Sequence, residues 1–398
     1  MRILFLVTED WYFVSHRLPM AAAARDAGFE VHVATRVRDH GEVIAGHGFT
    51  VHSLSWQRGS TSAFANLQAV REIRTLLTKL RPALLHNIAM KPVLLGGLAA
   101  VGAGHGLRVI HSATGLGSLF IDRPAPGVGV NGGDEDSGNG KSSGQTSAGH
   151  TVVASKRRAL QTMLGWLCRR PGTRVVVQNA DDRAAFGALG VPDARIVLIP
   201  GSGVDVSALP ALAEPDGPVV AAFVGRMLAD KGVETLIQAH RLLRARGEAP
   251  KLLLAGTPDP ENPTSISPEQ LSAWAAEPNV EWRGHVQNIG GVWRDAHIAV
   301  LPSLREGLPK SLLEAGASAR AMIASDAPGC RDVCRDGVTG LLHPVGDAQA
   351  LADQWRRLAG DAALRTQFAA QARRDAEEIF AQDVIGAQTA ALYRDAIA

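Results

Sequence analysis

The chain has 398 residues, enough for two or three domains of ordinary size, and at 46% hydrophobic content each can bury a full core. Lys plus Arg (41) nearly balances Asp plus Glu (39), so no basic excess argues for a nucleic-acid coat and any charged partner must be met locally. Of the three cysteines, Cys168, Cys330 and Cys334, the near pair is C-x3-C with no second pair or H-x(3-5)-H to complete a tetrahedral zinc site, so free thiols in a reducing compartment are expected.

The N-terminus "MRILFLVTEDW" has one basic residue and a short apolar run before Thr8, Glu9 and Asp10, so it reads as a first buried strand rather than a signal peptide. The runs "RILFLV", "EVHVAT", "LLHNI", "RVIHSA" and "RVVVQN" then alternate with helical stretches such as "SHRLPMAAAARDAG" and "NLQAVREIRTLLTKLRP". Near-continuous Val, Ile and Leu strands separated by helices imply a parallel sheet covered on both faces. The longest apolar run, "PVLLGGLAAVGAG" (92–104), falls well short of the ~20 residues a membrane-crossing helix needs. The stretch 123–150, rich in Gly, Ser and polar residues without a period, predicts a flexible insertion. Its "GNGKS" is not a phosphate loop, because Glu135 stands where the Walker pattern needs Gly and no strand precedes it; "GAGHG" (102–106) likewise lacks the third Gly of a dinucleotide fingerprint.

A Pro- and Gly-rich stretch, 199–218, reads as a linker. After it come "VVAAFVG", "KLLLAG", "VEWRG", "IAVLPS", "AMIAS" and "GLLHPV", again interleaved with helices. The expected fold is α/β, with two doubly wound Rossmann-like domains facing across a cleft at the carboxyl ends of their strands. The expected division is an N-terminal domain 1–204, a C-terminal domain 205–382, and a helix 383–398 that returns to the N-terminal domain.

Two constellations carry chemistry. Arg226 follows "VVAAFVG" and Lys231 stands at the mouth of the next helix, where cations and backbone amides together suit a diphosphate. The other is "SLREGLPKSLLEAGA" (303–317). Gly307 and Pro309 place a helix start near Leu308, leaving Glu306 in the loop after a strand and Glu314 one to two turns into the helix. Taken alone, Glu306 compensates a helix dipole and Glu314 pairs with Lys310 at i,i+4. But Glu314 lies among apolar and small residues, where a carboxylate is costly to bury unless it accepts hydrogen bonds. A nucleoside diphosphate across this terminus would supply them, its ribose to Glu314 and its phosphates to the amides of Gly307 and Leu308.

Arg226, Lys231, the run 306–347 and "GSGVD" (201–205, with Gly203) together resemble retaining nucleotide-sugar glycosyltransferases of family 4, with the GT-B fold. The resemblance implies that Glu306 contacts the donor sugar, that Arg226 and Lys231 hold the diphosphate, with Lys310 adding charge beside it, and that the backbone at His285 and Val286 reads the base. It implies a UDP-sugar as co-substrate, no metal, and a front-face displacement in which the leaving diphosphate takes the acceptor proton. In the N-terminal half, "EDWYFVSHRLPMAAAARDAGFEVHVAT", "TGLGSLF" and "VVVQNADDRAAF" are similar to transferases that extend bacterial surface polysaccharides or lipid-linked oligosaccharides. That similarity puts His16, Arg17, Thr114 and Gly115 on the acceptor side of the cleft, with a free glycan or an undecaprenyl-diphosphate-linked saccharide as acceptor. Thr114 occupies a strand-end slot where relatives carry His, and His111 lies three residues earlier.

Two other readings stand beside this one: a UDP-sugar 2-epimerase of the same fold, which the Arg/Lys and EGLP pattern disfavours, and a non-catalytic partner subunit, against which Glu306, Arg226 and Lys231 argue. Two basic amphipathic helices offer peripheral contact with the inner face of the cytoplasmic membrane. One carries Val70, Ile73, Leu77 and Leu80, the other Met163, Leu164, Trp166 and Leu167.

Overall fold

In the computed structural model, which describes residues 1–56, 62–104, 106–114 and 146–398, the alternating apolar runs become two parallel sheets. The first contains β1 (Arg2–Glu9), β2 (Glu30–Arg36), β3 (Thr50–Ser53), β4 (Leu84–Ile88), β5 (Arg108–Ser112), β6 (Thr173–Val177) and β7 (Ile196–Leu198), in the order β3-β2-β1-β4-β5-β6-β7. The second contains β8 (Val220–Val224), β9 (Lys251–Ala255), β10 (Val280–Trp282), β11 (Ile298–Leu301), β12 (Ala321–Ser325) and β13 (Gly340–His343), in the order β10-β9-β8-β11-β12-β13. In each sheet the order reverses beside the first strand, and ligands of doubly wound sheets bind beyond the carboxyl ends at that point.

β1 shows why its residues make a central strand. Ile3, Phe5 and Val7 enter the core on one face, whereas Leu4 and Leu6 enter the core on the other. With a side-chain period of two and helices on both faces, every position must be apolar. The N-terminal core is completed from the far end of the chain. Helix Gln382–Ile397 contributes Ile385, Leu392 and Tyr393 to the cluster that holds Ile3 and Phe5. The chain crosses between the sheets twice, side by side: Val204 N donates to Phe380 O at 2.8 Å, and Gln382 N donates to Val204 O at 3.0 Å.

One sequence expectation is corrected here. Residues 123–145 of the expected insertion lie outside the described residues, but 146–150 belong to helix Thr146–Cys168. Leu164 and Leu167 anchor that helix in the core, and elongation from a packed nucleus is cooperative. Of the apolar faces offered to a membrane, Ile73, Leu77 and Leu80 pack with Leu4 and Leu6 and Leu164 packs with Val175 and Phe186, whereas Trp166 stays exposed. Among the described residues no helix is long and apolar enough to cross a membrane.

Candidate active site

The C-terminal wall of the cleft is built largely from backbone. β8 and β9 are followed directly by Gly225 and Gly256, which pass so closely that a Cβ on Gly256 would overlap the Gly225 carbonyl oxygen. Beyond this crossing lies a pocket of about 210 Å³ lined by Arg226, Gly256, Thr257, His285, Val286 and Ile289. Arg226 reaches its rim and donates from Nη1 to Asp259 Oδ2 at 2.6 Å. The turn Ala229–Lys231 then closes at Gly232, in the left-handed region at φ 72°, where a Cβ would overlap the carbonyl oxygen of Pro302. This contact presses the loop after β8 onto the loop after β11. Its result is a 2.5 Å pair between Lys231 Nζ and Glu306 Oε1, with the two side chains 22% and 11% exposed.

Glu306 N donates to Pro328 O at 3.0 Å, which ties the loop after β11 to the loop after β12. Pro309 is the N-cap, so helix Lys310–Ala317 starts two residues later than the Leu308 expected from sequence. Glu306, Gly307 and Leu308 therefore all lie in the loop. Glu314 is on the first full turns of the helix, between the buried Leu313 and Ala315. Burial pushes its carboxyl above the ordinary range, and Lys310, with Nζ at 3.7 Å, opposes that rise. The two glutamates thus face different cations, Lys231 and Lys310.

The N-terminal wall is made of side chains. Asp10, fully buried, accepts from the amides of Trp11 (2.7 Å), Arg38 (2.7 Å) and His40 (2.9 Å), which fixes the loop after β2 against the end of β1. His16 ends helix Asp10–His16, stacks on Tyr12 at 4.6 Å and shares a 2.6 Å hydrogen bond with Ser15 Oγ. Burial pushes its pKa down to about 3, and the charges of Arg17, Lys310, Lys231 and Arg226 add to the fall. A neutral imidazole thus lies in the field of cations from the opposite domain. Lys310 Nζ also donates to Ser15 O at 2.9 Å, so the two walls touch here.

Arg17, expected to face the cleft, is instead 2% exposed and donates to Tyr12 Oη and Met20 Sδ, because it opens helix Leu18–Asp26 on the core side. Gly203 is likewise not on the cleft. It is buried at the crossing between the sheets, its Cβ position 2.8 Å from Gln382 Cα. Thr114 lies half-buried two residues beyond β5, and Gly115 lies outside the described residues. His111 belongs to the core: burial holds its pKa at about 3, and its Nδ1 is 3.2 Å from Asn87 Nδ2. The sequence reading missed Arg305, Asn179 and Asp182, which meet across the cleft beside Glu306. The Asn followed by Asp-Asp in "NADD" marks a helix start but does not announce a partner in another domain.

Residues 2–129 match the family described as "Glycosyl transferase 4-like", and residues 218–361 match "Glycosyl transferases group 1". The N,N'-diacetylbacillosaminyl-diphospho-undecaprenol alpha-1,3-N-acetylgalactosaminyltransferase of Campylobacter jejuni is 25% identical, over 96% of this chain and 96% of that protein. The capsular polysaccharide biosynthesis glycosyltransferase CapM of Staphylococcus aureus is 29% identical over 44% of this chain, and the match spans only 45% of CapM. Among solved structures, HepE of Anabaena in complex with UDP and glucose superposes with a TM-score of 0.73 at 16% identity, covering 99% of each chain. Sucrose-phosphate synthase of Thermosynechococcus elongatus gives 0.78 at 19% identity, over 99% of this chain and 98% of that one. With both sheets and both matched segments in this arrangement, the chain belongs to the glycosyltransferases of GT-B fold, a 4-like domain followed by a group 1 domain.

Proposed function

We propose that this glycosyltransferase moves a hexosyl or N-acetylhexosaminyl group from a UDP-sugar to a hydroxyl of a free or lipid-linked saccharide during assembly of a bacterial surface glycan, with retention of configuration. The observation that carries the reading is the gathering of cations around one point. Arg226 lines the 210 Å³ pocket with His285 and Val286, Lys231 pairs with Glu306, Lys310 lies beside Glu314, and the charges of Arg226, Lys231 and Lys310 all bear on His16. In this assignment the base occupies the pocket, the ribose hydroxyls donate to Glu314, and the diphosphate lies against Arg226, Lys231 and the amides of Gly307 and Leu308. Glu306 then faces the sugar. Residues 1–204 form the acceptor side and 205–382 the donor side, with the last helix returning to the first. The names of the Campylobacter and Staphylococcus relatives support a lipid-linked or capsular acceptor.

The chemistry follows from charge. As the glycosidic bond to the diphosphate breaks, negative charge grows on its oxygens, and cations already in place stabilise it without reorganising. Lys231, now on Glu306, has its ammonium where that charge would develop. The acceptor hydroxyl would attack from the face the diphosphate leaves, giving up its proton to a departing phosphate oxygen. His16, held neutral, is suited to hydrogen-bond that hydroxyl or the sugar. A lipid-linked acceptor would bring the protein to an anionic membrane surface, where the exposed Phe64, Leu67 and Trp166 are available for contact.

The test is incubation with a panel of UDP-sugars, with and without undecaprenyl-diphosphate-linked and free saccharides. Product anomers are then read by NMR. Transfer from one sugar with retention supports the proposal. If no nucleotide sugar binds or is turned over, or if the product is inverted, the proposal fails.

A further inference from the structure

The residues on either side of Glu306 are both held from across the cleft. Arg305 Nη2 donates to Asp182 Oδ1 at 2.5 Å, and Asn179 Nδ2 donates to Gly307 O at 2.7 Å. Asn179 and Asp182 open helix Ala180–Ala188 of the N-terminal domain and are tied to one another, Asp182 N donating to Asn179 Oδ1 at 2.7 Å. Capping that helix requires only Asn179 Oδ1. The Asn179 amide nitrogen and the Asp182 carboxylate exceed that need, and both are directed at the 305–307 segment.

Burial argues that these contacts are more than incidental. Asp182 is 0% exposed and Asn179 1%, although the first turn of a helix usually leaves an aspartate in water. Burial raises the Asp182 pKa, and the Arg305 guanidinium opposes the rise. Among the described residues Arg305 Nε is buried without a hydrogen-bond partner, so the guanidinium depends on Asp182 for its counter-charge. The other cross-cleft ion pairs among the described residues, Arg38 with Glu261 at 2.6 Å, Arg331 with Asp181 at 3.9 Å and Arg36 with Glu261 at 4.0 Å, use side chains 27% to 43% exposed and are weakened by solvent and salt. The Asp182 contact is the one that water does not screen, and removing either partner leaves a buried charge alone.

We propose that Asp182 and Asn179 are positioning residues that set Glu306 in register only when the two domains are docked, so that cleft closure and completion of the site are one event. Glu306 is held from within its own domain by Lys231 and Pro328, and from the opposite domain through its two neighbours. Its readout through turnover rests on the transfer reaction proposed above; its structural readout does not.

Asp182→Asn keeps the side-chain size and removes the charge. Because the assigned UDP contacts at the pocket, Arg226, Lys231 and Glu314 lie outside the 305–307 segment, UDP affinity is expected to fall far less, by about threefold or under, than kcat, which falls about 100-fold, as for a displacement of roughly 1 Å. Arg305→Ala is expected to cause the same loss, and the double variant no further loss, since both remove one contact. Asn179→Ser retains a cap oxygen but lacks the amide donor. It is expected to lower kcat without lowering the melting temperature, which separates positioning from folding. Full turnover in Asp182→Asn, additive losses in the double variant, or UDP affinity falling in step with kcat would each overturn the proposal. If the wild-type protein binds no UDP and turns over no nucleotide sugar, the transfer reading fails instead. The latch is then read by small-angle X-ray scattering, where Asp182→Asn must have the larger radius of gyration and equal radii reject it.

Discussion

The two walls of the cleft are made by different means. On the C-terminal wall, backbone meets backbone: Gly256 on Gly225, Gly232 on Pro302, and Glu306 N on Pro328 O. On the N-terminal wall, side chains do the work, with Asp10 gathering three amides, His16 stacked on Tyr12, and Asn179 with Asp182 reaching out of a helix start. A wall of backbone leaves little room for substitution and suits a part that is the same in many donors, such as a nucleoside diphosphate. A wall of side chains can be changed one residue at a time without moving a strand, which suits an acceptor that differs from one enzyme to the next.

The contrast is broken most directly at Gly232. Gly232→Ala must relieve both the left-handed φ and the overlap with Pro302, so we expect a loss of roughly 3 kcal/mol or more in urea unfolding, with transfer abolished. An Ala variant as stable as the wild type would show that the backbone crossing is not what builds this wall. Arg226→Ala and Lys231→Ala are expected to lower kcat/KM by about 10²- to 10³-fold while the fold persists, and an unchanged transfer rate would remove the diphosphate clamp. Next in size, Glu314→Ala is expected to weaken UDP about tenfold in a titration, whereas Glu306→Ala mainly lowers turnover. Equal, negligible effects would make both glutamates ordinary surface groups.

The remaining expected effects concern pH, where the walls answer acid with opposite sign. His16 has its folded pKa lowered to about 3, so as pH falls below ~6.5 the unfolded chain takes up a proton that the folded one does not. Stability drops by at most about 1.4 kcal/mol per pH unit from this group, and His16→Gln should flatten that part of the acid limb. Glu314 has its folded pKa raised, so the stability it contributes is present in acid and lost as pH rises through that value. Glu314→Gln should therefore raise the melting temperature at neutral pH by roughly 1–3 °C while weakening UDP. A lowered melting temperature in that variant would mean that Lys310 more than offsets the burial of the carboxylate.

The same contrast explains what could be read in the sequence. All six strands of the second sheet stand out as apolar runs, and Arg226, His285 and Glu306 each follow their strands closely enough for their place at a strand end to be legible. The sequence reading does not mark β3 and β7, edge strands of four and three residues, "TVHS" and "IVL"; the equally short edge strands β10 and β13 are legible through the glycine after one, in "VEWRG", and the Pro after the other, in "GLLHPV". Arg17 was misplaced because the same Arg can end one helix facing the cleft or begin the next facing the core, and spacing does not tell these apart. Asp182 and Arg305 are 123 positions apart, and their meeting depends on how two complete domains sit together, a relation that local periodicity does not encode.

Helix Gln382–Ile397 carries a consequence for how the protein is made. Tyr393, fully buried, lies edge-on to Phe5 with ring centroids 6.0 Å apart and hydrogen-bonds His86 at 2.7 Å. On the ribosome, β1 and β4 emerge before the whole second sheet, yet the side chain that closes the space between them emerges after it. The first sheet is therefore completed only once the second has been made. A chain stalled before residue 382 would hold a second sheet with its strands complete, joined to a first one with an open core.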